Sequence, residues 1–155
     1  MQLVTERLTM RDFREDDWPV VAAYWADPRY QRYYPANESQ EETVRKLVAS
    51  FVAAQAQQPR RKWQLALVTR DDGSLIGHCG IRVNNPELRE ANIGYELNPD
   101  YWGQGYASEA ARAILRFGFE ELGLHRVWAE CVADNANSVR VLEELGLRRE
   151  AHFRE

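Results

Sequence analysis

The chain has 155 residues, 45% hydrophobic and 28% charged, with a formal net charge of −4. That length fits one domain around one core, and the balance of apolar to charged residues excludes a disordered or fibrous chain. The acidic excess argues against a nucleic-acid binder or a membrane-surface protein, which carry basic patches, and mildly favours a cationic substrate.

Taken in chain order, "RLTMRDF" (7–13) alternates Leu8, Met10 and Asp12 with Arg7, Thr9 and Arg11 and predicts a first strand. "REDDWPVVAAYWAD" follows as a short helix, with Asp16 or Asp17 as its cap and Pro19 in its first turn. "DPRYQRYYPANES" reads as an aromatic loop between Pro28 and Pro35. Ser39 and Glu42 form a capping box for a second helix, in which Val44, Leu47, Val48, Phe51 and Val52 recur at helical spacing. "WQLALVT" and "LIGHCGIRV" flank the turn "RDDGS" as a β-hairpin, and "EANIGYELN" is the next strand.

From Tyr106 to Leu122 an apolar stripe of Ala107, Ala111, Ile114, Leu115, Gly118 and Leu122 predicts an amphipathic helix. Its charged face carries Glu109, Arg112, Arg116 and Glu120. "HRVWAECVA" reads as a strand. Asn137 or Ser138 caps a short helix that ends at Leu145, with Gly146 at its C′ position, and "LRREAHF" begins a last strand. The expected order, β-α-α-β-β-β-α-β-α-β, describes an α+β domain: one mixed, mostly antiparallel sheet flanked by helices.

Chemistry concentrates in "NPDYWGQGYASEA" (98–110), where two glycines separate a strand from a helix. Main-chain N–H groups of such a turn converge with those of the helix start. The helix dipole adds about half a positive charge there, which favours an anion such as a diphosphate. The alternative is that the glycines only make a tight strand-to-helix connection. A dinucleotide fingerprint fails because Ser108 stands where G-x-G-x-x-G needs its third glycine.

With "TERLTMRDF", "LIGHCGI", "ANIGYELNPDYWGQGYASEA" and "LGLHRVWAECVADNANSVRVLEELGL" in this order, the chain resembles the GNAT superfamily of acetyl-CoA-dependent N-acetyltransferases. The resemblance is strongest to the branch holding the ribosomal-protein N-terminal acetyltransferases (RimJ/RimL-like). It implies that Gly103, Gln104, Gly105, Tyr106 and Ala107 hold the diphosphate of coenzyme A. Tyr95 and Leu97 would offer main-chain groups to the pantetheine arm, on a strand that splays from its neighbour, and Asn135 would reach the same arm. The acceptor would be a primary amine, either a protein N-terminus or a small molecule, and transfer would be direct within a ternary complex.

Proton handling departs from the family pattern. An amide, Asn92, stands where many members carry a glutamate base, and Leu142 replaces a tyrosine acid. Glu96, on the same strand face as Asn92, is the substitute base, acting directly or through water; it also reads as a solvated strand carboxylate. Ser138 is either an acid for the leaving thiolate or a helix cap. His78 faces the slot or serves the fold. Trp25, Tyr30, Tyr33 and Tyr34 either line the acceptor side or pin the loop to the core. The rival function is a coenzyme A-binding sensor or interaction module that has lost catalysis.

Cys79 and Cys131 lie far apart in apolar segments, outside any metal-binding spacing, so both are expected to be buried thiols in a reducing compartment. The chain lacks a signal-peptide pattern and an apolar run of the ~20 residues a membrane span needs, so a cytoplasmic protein is expected. The family continues with another strand, so residues 1–155 are expected to form one domain without its C-terminal strand. Either the tail is truncated or a partner chain, such as a second copy, completes the sheet edge.

Overall fold

The structure, a computed structural model, describes residues 1–35, 40–132 and 134–152. Among these, one sheet carries six strands in chain order: β1 (Gln2–Val4), β2 (Leu8–Asp12), β3 (Lys62–Thr69), β4 (Leu75–Asn85), β5 (Glu90–Leu97) and β6 (Arg126–Ala129). Every neighbouring pair is antiparallel except β5 and β6, which are parallel. A parallel pair needs a crossover, and helix α4 (Tyr106–Arg116) supplies it.

Strand alternation sorts the sheet's residues onto two faces. Leu8, Met10, Leu65, Leu67, Cys79, Ile81 and Ile93 pack on one face with Ala110, Ile114 and Phe117 from the α4 side. Helices α1 (Trp18–Trp25) and α3 (Gln40–Ala54) cover the other face, where Phe13, Val21, Tyr24, Val44, Val48 and Phe51 gather around Ala66. Among the described residues, no helix is long and apolar enough to cross a membrane.

The feature that positions the site is where one ladder stops. β5 pairs with β6 only from Glu90↔Arg126 to Ile93↔Ala129, whereas its ladder with β4 continues to Gly77↔Leu97. Tyr95, Glu96 and Leu97 therefore border an opening on the β6 side, the splay expected for this strand.

Several elements differ from the expectation. Pro28–Gln31 forms a helical turn, α2, inside the aromatic loop, because the Asp27 side chain accepts from the Arg29 N–H and Pro28 suits a first helical position. Strand β1 was not anticipated; at three residues it is too short to show alternation. The last helix, α5 (Ala136–Glu144), is capped by the Asn135 side chain, which accepts from the Ser138 N–H, and not by Asn137 or Ser138. Residues 147–152 form no strand: Arg149 reaches Glu143, and Arg126 and Arg148 both reach Glu150, so this charged stretch makes ion pairs on the surface. Cys79 is buried as expected, but Cys131 is exposed. Ser39 of the capping box lies outside the described residues.

Candidate active site

A cleft with a free volume of about 170 Å3 opens between the end of β5, the start of α4 and the start of α5. Tyr95, Glu96 and Leu97 border it from β5, and Gly103, Gly105, Tyr106, Ala107 and Ser108 from the glycine turn. Asn135 and Ser138 close one side, and Tyr30, Tyr33 and Tyr34 the other.

The glycine turn is built for main-chain donation. Gly103 and Gly105 have φ of +72° and +83°, a left-handed conformation that side chains resist. Among the described residues, apart from its chain neighbours, no atom lies within 4 Å of where a Gly103 Cβ would project. Gly105 is the N-cap of α4, and among the described residues no side chain caps that helix start. First-turn amides without an intrahelical partner border the cleft there, and the helix dipole favours an anion beside them. A diphosphate fits this arrangement.

The β5 backbone also faces the opening. Trp102 Nε1 donates to the Leu97 carbonyl at 3.1 Å, which shows that Leu97 turns its main-chain groups away from β4. Strand alternation gives Tyr95 the same orientation. The Tyr95 hydroxyl donates to the Ser138 carbonyl at 3.2 Å and ties β5 to α5 across the cleft.

Glu96 is the most heavily bonded side chain in the site. Its Oε1 accepts from Tyr24 at 2.9 Å, Trp25 at 2.9 Å and His78 at 2.6 Å, while Oε2 accepts from Tyr30 at 2.8 Å. Burial alone would raise its pKa. The adjacent His78 and the hydrogen bonds from His78, Trp25 and Tyr30 outweigh burial and hold the carboxyl well below its ordinary value. Burial and the Glu96 carboxylate push the Tyr24 and Tyr30 phenols upward, so both remain donors.

Behind Glu96 a polar chain crosses the sheet. Arg82 Nη1 donates to Gln64 Oε1 at 3.3 Å, which turns the Gln64 amide nitrogen toward His78 Nδ1 at 2.7 Å. With Nδ1 accepting, the ring proton lies on Nε2 and points at Glu96. Two glycines make room for this chain: a Cβ on Gly94 would come within 2.9 Å of Arg82 Nη2, and one on Gly80 would meet the Gln64 side chain and the Trp63 carbonyl.

An aromatic wall completes the acceptor side. Trp25 stacks on Tyr30 with centroids 5.5 Å apart, and Tyr30 stacks on Tyr34 at 5.0 Å. Arg29 bridges Asp27 and Asp100 at 2.7 and 2.6 Å, which links α2 to the connection before the glycine turn.

A sequence profile described as an acetyltransferase (GNAT) domain matches residues 7–148. The chain belongs to the GNAT acetyltransferase family. It is 36% identical over 154 residues to the uncharacterized N-acetyltransferase YnaD of Bacillus subtilis (strain 168), covering 99% of this chain and 86% of that protein. The crystal structure of a GNAT-family acetyltransferase from Bacillus anthracis matches with a TM-score of 0.82 at 35% identity, over 99% of this chain and 87% of that one. Mycobacterium smegmatis RimJ, solved in complex with CoA-disulfide, shares the fold at a TM-score of 0.77 and 24% identity, over 93% of this chain and 71% of that one. Acetyl-CoA as donor and an amine as acceptor are general to the family.

Within this GNAT domain the expected residues divide into three groups. Tyr95, Leu97, Gly103, Gly105, Tyr106, Ala107, Asn135, Glu96, Ser138, Tyr30, Tyr33 and Tyr34 line the cleft. Trp25 and His78 stand behind that lining and act on it through Glu96. Gln104 and Asn92 lie outside it. Gln104 is exposed, and its carbonyl accepts from Arg7. Asn92 accepts from Asn84 at 2.9 Å and Arg82 at 3.3 Å, away from the opening. Tyr24, Gln64, Arg82 and Arg7 were not anticipated, because each is distant in sequence from the group it holds.

Proposed function

We propose that this chain transfers the acetyl group of acetyl-CoA to a primary amine, with both substrates held in one cleft. The observation that carries this reading is the glycine turn and uncapped α4 start beside the slot where β5 leaves β6. Gly103, Gln104, Gly105, Tyr106 and Ala107 hold the diphosphate by main-chain groups. Tyr95 and the N–H of Leu97 serve the pantetheine arm. Asn135 uses its Oδ1 as a cap, which leaves its Nδ2 for the same arm.

Acetyl-CoA, when bound, supplies an activated carbonyl. In the transfer an N–C bond forms, a C–S bond breaks, and one proton leaves the amine while the departing sulfur gains one. Glu96 faces the acceptor side as a carboxylate and orients the amine through Oε2, directly or through a water. Its depressed pKa makes it a weak proton acceptor, so its contribution is more orientation than proton abstraction. Ser138 offers its hydroxyl to the departing sulfur. Tyr30, Tyr33 and Tyr34 wall the acceptor, and Trp25 and His78 fix Glu96 from behind. Most of the acceleration then comes from juxtaposing the two substrates. The sequence resemblance to the branch of ribosomal-protein N-terminal acetyltransferases supports testing peptide N-termini alongside small amines.

The saturated Glu96 carboxylate favours a second reading, a coenzyme A-binding sensor without turnover. Thiol release from acetyl-CoA over a panel of N-terminal peptides, amino acids, small amines and amine-bearing antibiotics separates the two. Release with at least one amine, reduced in Glu96→Gln and Ser138→Ala, supports the acetyltransferase. Tight coenzyme A binding with no release from any amine supports the sensor, and absence of binding removes both readings.

A further inference from the structure

Arg7 precedes β2 and is far in sequence from the glycine turn, yet it makes the contacts that hold the turn in shape. Its Nη1 donates to the Gln104 carbonyl at 2.8 Å and its Nε to Glu109 Oε2 at 2.7 Å. The Arg7 main-chain N–H donates to Glu109 Oε1 at 2.7 Å, and Thr5 Oγ1 donates to the same oxygen at 2.6 Å. The guanidinium carbon lies 4.1 Å from the centroid of the Tyr106 ring. Nη2 passes 3.3 Å from the place a Gly105 Cβ would occupy and has no hydrogen-bond acceptor among the described residues.

Glu109 creates an electrostatic problem that Arg7 solves. It lies in the first turn of α4, where a carboxylate favours the helix dipole but opposes any anion bound at the same end. Burial works against its ionised form, but the bonds from Thr5 and Arg7 outweigh burial and hold its pKa below the ordinary value. A helical turn rises about 5.4 Å, well inside the Debye length of about 10 Å at 0.1 M salt. An uncompensated Glu109 would therefore repel a diphosphate at the turn.

We propose that Arg7 is a positioning residue for the anionic end of the donor. It neutralises Glu109 and ties back the Gln104 carbonyl, so that the turn presents amides, and not carbonyls or a free carboxylate, to the diphosphate. The proposal rests on the acetyl-CoA reading above and adds a named electrostatic partner to it.

The test is calorimetric titration of coenzyme A into the wild type, Arg7→Gln, Glu109→Gln and the double variant, at low and high salt, with melting temperatures measured alongside. Arg7→Gln is expected to weaken binding by about tenfold at low salt, less at high salt. Glu109→Gln is expected to bind as tightly as the wild type or tighter, because an anionic neighbour is gone. The double variant is expected to recover most of the loss, although it lacks more hydrogen bonds than either single change. Weaker binding by Glu109→Gln, or a double variant no better than Arg7→Gln, overturns the proposal; so does wild-type affinity in a folded Arg7→Gln. If Arg7→Gln does not fold, the Glu109→Gln affinity decides on the same terms. A wild type that binds no coenzyme A brings down the donor-site reading itself, a distinct failure.

Discussion

The imidazole of His78 holds the carboxylate of Glu96, with Nε2 2.6 Å from Oε1. Gln64 holds the opposite ring nitrogen, so the histidine is fixed at both ends, and its side chain is only 10% exposed. An acid placed this way is a fixed acceptor for four donors from α1, α2 and β4. It organises the acceptor wall through charge and geometry.

That relationship sets a pH dependence. A carboxyl whose folded pKa lies below its unfolded value stabilises the fold while it is ionised. Its contribution is complete above the ordinary value of 4.5 and is lost as pH falls toward about 2. Melting temperatures of the wild type and Glu96→Gln, measured from pH 7 to pH 2, should differ most at neutral pH and converge below pH 4.5. In turnover assays no rising limb should come from Glu96 above pH 5. A limb near pH 6 to 7 that vanishes in Glu96→Gln would show that Glu96 titrates as a base.

Gly80 should tolerate no side chain. A Cβ there would lie 2.8 Å from the Trp63 carbonyl and collide with the Gln64 side chain, and the backbone of β3 cannot move without disturbing the ladder. Gly80→Ala is expected to destabilise the protein by about 1–3 kcal/mol, the range for overpacking. Urea denaturation measures this. A stability unchanged within error would mean that Gln64 can leave its place, and that the chain from Arg82 to Glu96 is not constrained as described.

The two turn glycines should respond unequally. Alanine at Gly103 meets no atom within 4 Å among the described residues beyond its chain neighbours and suffers the left-handed φ, whereas alanine at Gly105 has the same conformational penalty and also approaches Arg7 Nη2 at 3.3 Å. Each penalty is about 1–2 kcal/mol. Coenzyme A titration should show the larger loss of affinity for Gly105→Ala. Equal and small losses would mean that the turn's shape does not govern binding.

Much of this was legible because the residues concerned are local. Leu8 and Met10 announce their strand by alternation, Ile114 its helix by spacing, and Gly103 and Gly105 a special turn by composition. Asp27-Pro28 also carried a helix-start signal inside the aromatic loop. The rest depends on tertiary proximity. Gln64, His78, Arg82 and Glu96 come from three strands, and only the sheet register places them in a line. Gly80 and Gly94 hint at that line in retrospect, since alternate small residues on one face leave room for long polar side chains above them. Arg7 and Glu109 are about a hundred positions apart, beyond any local pattern. The stretch after Gly146 misled because Arg149 and Glu150 make ion pairs with Glu143 and Arg126, partners that no local pattern announces.

The thiols offer a chemical check on how well the core is sealed. Burial pushes the Cys79 thiol up to about 12, and its residue is fully enclosed beneath α4. Cys131 is exposed; partial burial raises its thiol from the ordinary value, with the nearby Arg149 opposing the shift. Since the thiolate is the reactive form, a raised pKa slows modification at neutral pH without preventing it. With an aromatic disulfide reagent, one thiol per chain should react in the native protein, and its rate should increase steadily from pH 7 to pH 9. The second should appear only in denaturant. Cys131→Ser should abolish the native reaction, while two reactive thiols in the native state would show that α4 does not seal the core over Cys79.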